Sequence, residues 1–359
     1  MFDQAPTTSS PHPIVVALIA AGGAIAGTIL KDFVFRIWER HRDKSDALST
    51  IYARYGEPLS SSSSRLMWRL AEIFEQPVRA GFLKVDICTP ASNKYAVFAN
   101  YKKISTLYRL AELLAWVRAC RIEFSSLKVA DSKKAGPVER AFTDLESALA
   151  DGPQVELERL KGLCKLWNIQ LPQDSQLLSS IAIDVETATD QAMISFKVND
   201  LDRLATGERS QLLKTVANCI TKRLVIQPIE SAILDEQSST AIKLIGIREA
   251  WVYRDWQGAI GDLLLRRVDR PDRTYDVIGF SEFETMCTSG TDDQKKWIGR
   301  LSAVFDDVDI ATRDPYDHRP DQLRKLLKTT ALLTVQLSRC VASCSLSKET
   351  VSKAERLSM

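Results

Sequence analysis

Seventeen consecutive residues, Ile14 to Leu30 (IVVALIAAGGAIAGTIL), carry no charge in a chain of which 26% is Asp, Glu, Lys or Arg. As a helix the stretch covers about 25 Å, the short end of what a hydrocarbon core of roughly 30 Å requires. Beyond Lys31 and Asp32 the chain returns to Phe33, Val34, Phe35, Ile37 and Trp38. Lys31 can therefore snorkel while the aromatic rings lie at headgroup depth. We read Ile14 to Leu30 as a transmembrane helix with membrane lipid as its partner; the competing reading is a buried helix of a soluble core.

No Lys or Arg precedes Leu30, whereas Lys31, Arg36, Arg40, Arg42 and Lys44 follow it closely. The positive-inside rule places such a flank in the cytoplasm, so the expected topology is single-pass in the inner membrane, N-terminus outside and C-terminal domain cytoplasmic. The apolar run lacks a basic segment ahead of it and a small-residue cleavage site behind it, which favours a retained anchor over a cleaved signal. Gly23 and Gly27 form a small-xxx-small face that lets two helix backbones approach, and they are the candidate helix–helix interface of a homo-oligomer.

A net charge of +2 and 45% apolar residues point to an ordinary globular interior and away from nucleic acid, whose binding calls for a basic excess. The basic residues beside the span are explained by topology and anionic headgroups. The seven cysteines are odd in number and scattered, as expected for free thiols in a reducing compartment. Cys340 and Cys344 fall one helical turn apart, but no His or further Cys lies near them in sequence, so they read as structural.

Along the chain, residues 1–13 read as a disordered extracytoplasmic tail. A charged helix follows the span to Tyr55, with Gly56 and Pro58 as its stop. Ser60 to Ser64 reads as a linker, a phosphorylation target, or the cap of a helix over Arg65 to Leu83. Asp86 to Asn93 is expected as loop, and Tyr95 to Phe98 as a short strand or the lead-in to the next helix. The strongest helical signal spans Ser105 to Leu127: apolar on two sides, with a narrow polar edge of Arg109, Glu112, Arg118 and Arg121, it is expected to be central. Helices are expected over Val138 to Leu149 and over residues 154–168, 174–196 and 208–226. A long helical stretch is expected over Thr240 to Arg267, with Gly258 and Gly261 permitting a close neighbour. A turn at Pro271, an extended Tyr275 to Phe280, a capping box at Ser281 and Glu284, helices over 292–306 and 320–345, and a polar tail from Ser347 complete the reading.

The pieces STLYRLAELLAWVRACR (Ser105 to Arg121), VYRDWQGAIGDLLLRR (Val252 to Arg267) and YDVIGFSEFE (Tyr275 to Glu284) resemble a diffuse group of hypothetical bacterial membrane-anchored helical proteins with no established activity. The resemblance implies a bacterial origin and carries over no catalytic residue.

Three carboxylates and an imidazole stand together in Asp314-Pro-Tyr-Asp317-His318-Arg-Pro-Asp321. Asp314, Asp317 and His318 are the candidate metal ligands, since such a set can bind a divalent ion and acidify its water. The two prolines favour a turn instead, with Asp321 in the first turn of the last helix. Asp306, Asp307 and Asp309 form a second acidic cluster, lacking the glycine and final glutamate of a calcium loop, and read as a solvated turn. Trp251, Tyr253, Arg254 and Trp256 read as core residues, the alternative being a stack on a ligand. No phosphate-binding glycine loop, nucleophile elbow or Cys–His pair is legible, and no cofactor is expected.

The sequence thus predicts a mainly α protein with at most minor β: a tail over 1–13, the span and basic juxtamembrane helix over 14–44, helical subdomains over 45–130 and 131–345 that either share one core or stand apart, and a polar tail over 346–359. Abundant helical surface without a concentrated polar site favours binding or scaffolding of a protein partner over catalysis. The alternative is a membrane-perturbing effector of a bacterial stress or phage-defence system that assembles through its span.

Overall fold

The computed structural model describes residues 50–85, 94–126, 136–152, 154–198, 201–268, 270–341 and 344–359. The expected span Ile14 to Leu30, Gly23 and Gly27, the basic flank Lys31, Arg36, Arg40, Arg42 and Lys44, and the loop Asp86 to Asn93 lie outside the described residues. Among the described residues no helix is long and apolar enough to cross a membrane. The fold is mainly α, and the only strands among the described residues form one short hairpin.

Helix α2 (Lys94–Ser126) is the central strut, about 50 Å long at the usual rise. Leu107, Leu110, Leu113, Leu114, Val117 and Cys120 are buried on more than one side, which is the central position its sequence predicts. Its polar edge is taken up by ion pairs to neighbouring elements: Glu112 with Arg65, Arg118 with Asp262, and Arg121 with Glu139 and Glu146. The helix begins at Lys94, so Tyr95 to Phe98 are its first turn rather than a strand.

Helix α1 occupies residues 50–75 and runs antiparallel to α2, with Tyr52 against Phe124 at one end and Glu72 paired to Lys102 at the other. It passes straight through Gly56, Pro58 and Ser60 to Ser64, where the sequence predicts a stop and a linker. The physical reason is the stripe Ile51, Tyr55, Leu59, Leu66, Leu70 and Ile73, which is fully buried and continues at helical spacing across the proline. The serines are small enough to let α12 approach. Ser62 and Ser63 are fully buried, their hydroxyls donate to the carbonyls of Leu59 and Ser60, and Thr334 donates to Ser63 Oγ at 3.1 Å. A kinase would find neither hydroxyl in this fold.

A 3₁₀ helix (Pro77–Lys84) turns the chain back toward α2. Helix α3 (Pro137–Ala150) lies against α12 (Arg319–Cys340). The chain then forms α4 (Val155–Leu166), α5 (Ser175–Phe196), α6 (Thr206–Leu224), α7 (Ser231–Glu236) and α8 (Ser238–Ile245), which bury a core of their own around Leu163, Ile181, Leu213, Val216 and Ile242. It returns as an extended strap over 246–253, so the long helix expected over Thr240 to Arg267 is broken. The strap exchanges backbone bonds with other segments instead: Val252 N–H donates to Leu149 O, Arg248 N–H to Tyr316 O, and His318 N–H to Arg248 O. Two buried amides staple exit and return together. Gln322 Nε2 donates to Leu149 O and Ala250 O, and Gln257 Nε2 to Glu146 O and Val252 O.

Helix α9 (Arg254–Leu264) packs on α2 through Gly261, where an added Cβ would stand 2.8 Å from Arg118 Cβ; Gly258 faces open space. Strands β1 (Leu265–Arg267) and β2 (Tyr275–Val277) pair antiparallel, with Leu265 opposite Val277. Helices α10 (Phe280–Ser289) and α11 (Asp292–Ser302) follow. Gly279, not Ser281, caps α10; the capping box of this region is Thr291 with Gln294 at the start of α11. The expected tail is α13 (Lys348–Ser358), N-capped by Ser347 and held on α12 and α1 by Ala354, the Arg339–Glu355 pair and the Lys353–Glu75 pair. The main core therefore joins residues from 51 to 149 with residues from 250 to 354.

The turn after α11 is tied by buried cations. Lys103, 2% exposed, reaches Asp306 at 2.6 Å and Val85 O at 2.6 Å. Arg319 pairs with Asp317 at 2.7 Å and donates to the carbonyls of Ala303, Asp306 and Asp307. Removing one partner of such a pair strands the other as an uncompensated buried charge. Arg319→Ala is expected to lower unfolding stability by about 3–5 kcal/mol. Arg324→Ala, which breaks an exposed pair with Asp321, is expected to change it by less than about 1 kcal/mol. Urea titrations of the two variants check the contrast, and equal losses would refute the role given to Arg319.

Candidate functional site

The residues singled out in the sequence, Asp314, Asp317 and His318, line one cavity but are each engaged with another group. Asp317 is committed to Arg319, while His318 Nε2 stands 3.0 Å from Glu158 on α4. Asp314 Oδ1 accepts from the Tyr316 amide at 2.9 Å, as a turn-forming aspartate does. A cavity of ≈ 580 Å³ borders this loop. Among the described residues no group of three His, Cys, Asp or Glu side chains is placed to hold a metal ion. The second acidic cluster is a solvated turn whose carboxylates also meet cations: Asp306 meets Lys103, Asp307 meets Arg248 and Asp309 meets Lys84, while all three side chains keep 41% or more of their surface exposed. Asp307 adopts a left-handed φ of 51°, which aspartate tolerates better than most residues.

The aromatic group of the strap is structural. Trp251 lies so close over Gly152 that a Cβ there would stand 1.9 Å from its ring. Trp256 is sandwiched edge-on by Tyr253 and face-on by Arg300, 3.5 Å from the ring centroid. Arg254 pairs with Asp151. Cys120, Cys164, Cys219, Cys340 and Cys344 are free thiols, and burial pushes the Cys164 thiol up to about 11. Helix α12 ends at Cys340, so Cys340 and Cys344 do not share a helical turn.

Two cavities combine charge with shape. The first, ≈ 460 Å³, lies where α4, α5 and the strap face the turn after α11, and is lined by Arg159, Glu186, Asp190, Arg248, Glu249 and Arg319 among others. Several of its charges are engaged: Arg159 pairs with Glu186 and donates to Ile247 O, though its buried Nε has no hydrogen-bond partner, and Glu249 accepts from Trp251 Nε1. Burial raises the Glu249 carboxyl above the usual range. A carboxyl raised on folding contributes stability that is present below its unfolded value and is lost as pH rises through its folded value. Glu249→Gln is thus expected to raise the thermal midpoint at neutral pH and to give no gain in acid below the ordinary carboxylate range. Melting curves at the two pH values test this; a loss at neutral pH would contradict it.

The second cavity, ≈ 560 Å³, is a groove between the end of α1, the 3₁₀ helix and the first turns of α2. Its walls are aromatic and its polar groups mostly cationic: Phe82, Tyr95, Phe98 and Tyr101 with Arg69, Arg79, Lys102 and one carboxylate, Glu72. Lys102 donates to Glu72 at 2.7 Å and stands 5.1 Å from the Phe82 centroid and 5.7 Å from that of Phe98. These pairs draw Glu72 below the usual range although burial opposes it. Arg69, on the core side of α1, is only 6% exposed. Its Nε and Nη1 have no hydrogen-bond partner, and Glu72 Oε2 stands 3.6 Å from Nη1. Burial lowers the pKa of the Arg69 guanidinium. Burial lowers that of Arg109 as well, aided by the charges of Arg69 and Arg65.

Around the groove lies the most exposed apolar surface of this end of the molecule: Tyr95 is 65% and Phe98 57% exposed, and Val78 on the opposite wall is 96% exposed. The sequence places these aromatics at helical spacing, at 95, 98 and 101, but on a face beside the one that carries Ala99, Ile104 and Leu107 into the core. That offset is the signal by which they could have been found. Arg69 gave no such signal, because its burial depends on Phe82, which lies in the 3₁₀ helix 5.7 Å away. No protein-family model, no curated protein and no solved structure matches the chain.

A buried guanidinium with unmet donors costs the folded state free energy. Replacing it by an apolar side chain of similar length is expected to stabilise the unliganded protein: Arg69→Met should gain about 1 kcal/mol in chemical unfolding. A loss of that size would mean that the guanidinium is already satisfied.

Proposed function

We propose that this chain is a membrane-anchored binding protein, held by Ile14 to Leu30 with its helical domain in the cytoplasm, that engages an acidic segment of a protein partner through the groove at the start of α2. The observation that carries the reading is the pairing of exposed aromatic side chains, Tyr95 and Phe98, with a cationic groove whose deepest member, Arg69, has unmet donors. Exposed aromatic surface rimmed by charge is the composition of recognition sites. The commitment of Asp317 to Arg319 and of His318 to Glu158 favours binding over catalysis.

The start of α1 lies beside Phe124, and Tyr101 lies about 35 Å back along α2, so the groove and the start of α1 are at opposite ends of the strut. Crosslinking and mass spectrometry of the full-length tagged protein in its native membrane tests the reading. Capture is expected to persist in a Gly23→Leu, Gly27→Leu variant and to fall about tenfold in a Tyr95→Ser, Phe98→Ser variant, since both side chains are more than half exposed and dispensable for the core. Loss in the glycine variant with retention in the aromatic one would overturn it and move the assembling effector ahead.

A further inference from the structure

Resting on that reading, we propose that the segment the groove takes is a phosphotyrosine of the partner protein, its phosphoryl dianion among the cations and its ring between the aromatic side chains. The groove already holds a monoanion of its own. Glu72 accepts from Lys102 at 2.7 Å and forms an ion pair with Arg69 at 3.6 Å. Burial would raise its carboxyl, yet Lys102, Arg69 and Arg79 together hold it below the usual range, so all three cations already act on this carboxylate. Arg69, Arg79 and Lys102 against Glu72 leave the groove a net charge of +2. A ligand carboxylate would offset only part of that surplus, whereas a phosphomonoester, at about −1.5 to −2 near neutral pH, offsets it from a single group. Two of the three cations are arginines, whose fixed donors match phosphate oxygens.

The order of groups from mouth to floor selects an aryl phosphate over a shorter one. Phe82 is the buried floor, with Lys102 Nζ 5.1 Å and Arg69 Cζ 5.7 Å from its ring centroid, so two of the cations lie at that depth. Tyr95 and Phe98, both more than half exposed, stand at the mouth, and Tyr101 continues the row along α2 with its centroid 6.4 Å from that of Phe98. Arg79 adds its charge from the exposed rim of the 3₁₀ helix. An anion held at the floor must be carried past the rings, and a phenyl group is the spacer that packs against them on the way. Phosphoserine, whose phosphoryl sits close to the backbone, would instead draw polar main chain between them. The apolar surface also runs on beyond the groove to the exposed Val78 on the opposite wall. That is more than a single residue covers, and it suits the neighbours of a phosphotyrosine in a polypeptide rather than a free small molecule. A volume of ≈ 560 Å³ accommodates the phosphorylated side chain with part of its flanks.

The test uses the full-length protein in detergent and peptides of one flanking sequence that carry phosphotyrosine, tyrosine, sulfotyrosine, phosphoserine or two adjacent aspartates, with phenyl phosphate as the free small molecule. Calorimetry near neutral pH is expected to show the phosphotyrosine peptide binding about tenfold or more tighter than every other probe. Sulfotyrosine is the sharpest control, since it keeps the shape and carries a single charge. Affinity for phosphotyrosine should fall as pH drops below about 6, where the phosphoryl group takes up its second proton. Arg79→Gln, at an exposed position, should weaken the phosphotyrosine peptide about tenfold and leave the tyrosine peptide unchanged. Glu72→Gln removes the groove's own anion and should tighten the phosphotyrosine peptide about threefold or more, the opposite of what a purely structural Glu72 would give. No binding of the phosphotyrosine peptide, or binding of any other probe as tight, overturns the proposal. If these probes fail while partner capture still depends on Tyr95 and Phe98, the phosphotyrosine assignment falls and the recognition face stands; if capture is also indifferent to them, both fall.

Discussion

The turn after α11 is where the main core is closed, and two buried cations close it. Lys103 comes from α2 and takes the Asp306 carboxylate; Arg319 comes from the start of α12 and takes the carbonyl of the same residue, with Asp317 as its counter-ion. Neither cation could be buried here without those acceptors, because an isolated charge in a low-dielectric interior is strongly disfavoured. The two bonds therefore fix the turn between an early helix of the chain and one of the last. Asp307 N–H adds a bond to Leu83 O at 2.9 Å, which brings in the 3₁₀ helix as well. The same 3₁₀ helix is a wall of the aromatic groove, so the geometry of the groove is set from the far side of the core.

Helix content was legible because it is written in local periodicity. The apolar stripes of α2, α3 and α6 recur at three and four residues, and the structure places α3 and α6 within a few residues of expectation, while α2 ends where expected but begins at Lys94, well ahead of the expected Ser105. Errors arose where a local rule met a tertiary one. Gly56 and Pro58 are helix breakers in isolation, yet α1 runs through them because Tyr55, Leu59, Leu66 and Leu70 on the same face are all completely buried, and that burial outweighs the lost backbone bond. The serine run reads as solvent-loving by composition, whereas its value here is small volume: buried hydroxyls satisfied by carbonyls three residues back allow α12 to lie close. The break at Gly246 was hidden for the opposite reason, since the residues on both sides keep helical spacing and only the strap's bonds to Leu149 and Tyr316 hold it extended.

Site residues were less legible than helices. Acidic clusters attract attention because they repel one another along the sequence, but Asp306, Asp307 and Asp309 each find a cation brought from a distant element, and Asp317 finds one two residues away. A cationic residue such as Arg69 is unremarked in a chain with 48 Lys and Arg, and only folding reveals that it has been taken from water with two of its nitrogens lacking hydrogen bonds.

The paired amides of Gln257 and Gln322 bear on how such a chain can change over time. They tie the end of α3 to residues 250–252, so the main core already has its neighbours in place where residues 151–249 depart and come back. For a stretch that is closed at its base, the entropic cost of length grows only logarithmically, about 0.6 kcal/mol for each doubling. The α4–α8 unit is in that sense a cassette hung on a finished frame. Its helices can be lengthened, shortened or exchanged with little strain on α1, α2 and α12, leaving this face of the protein open to rapid divergence while the frame beneath it is kept.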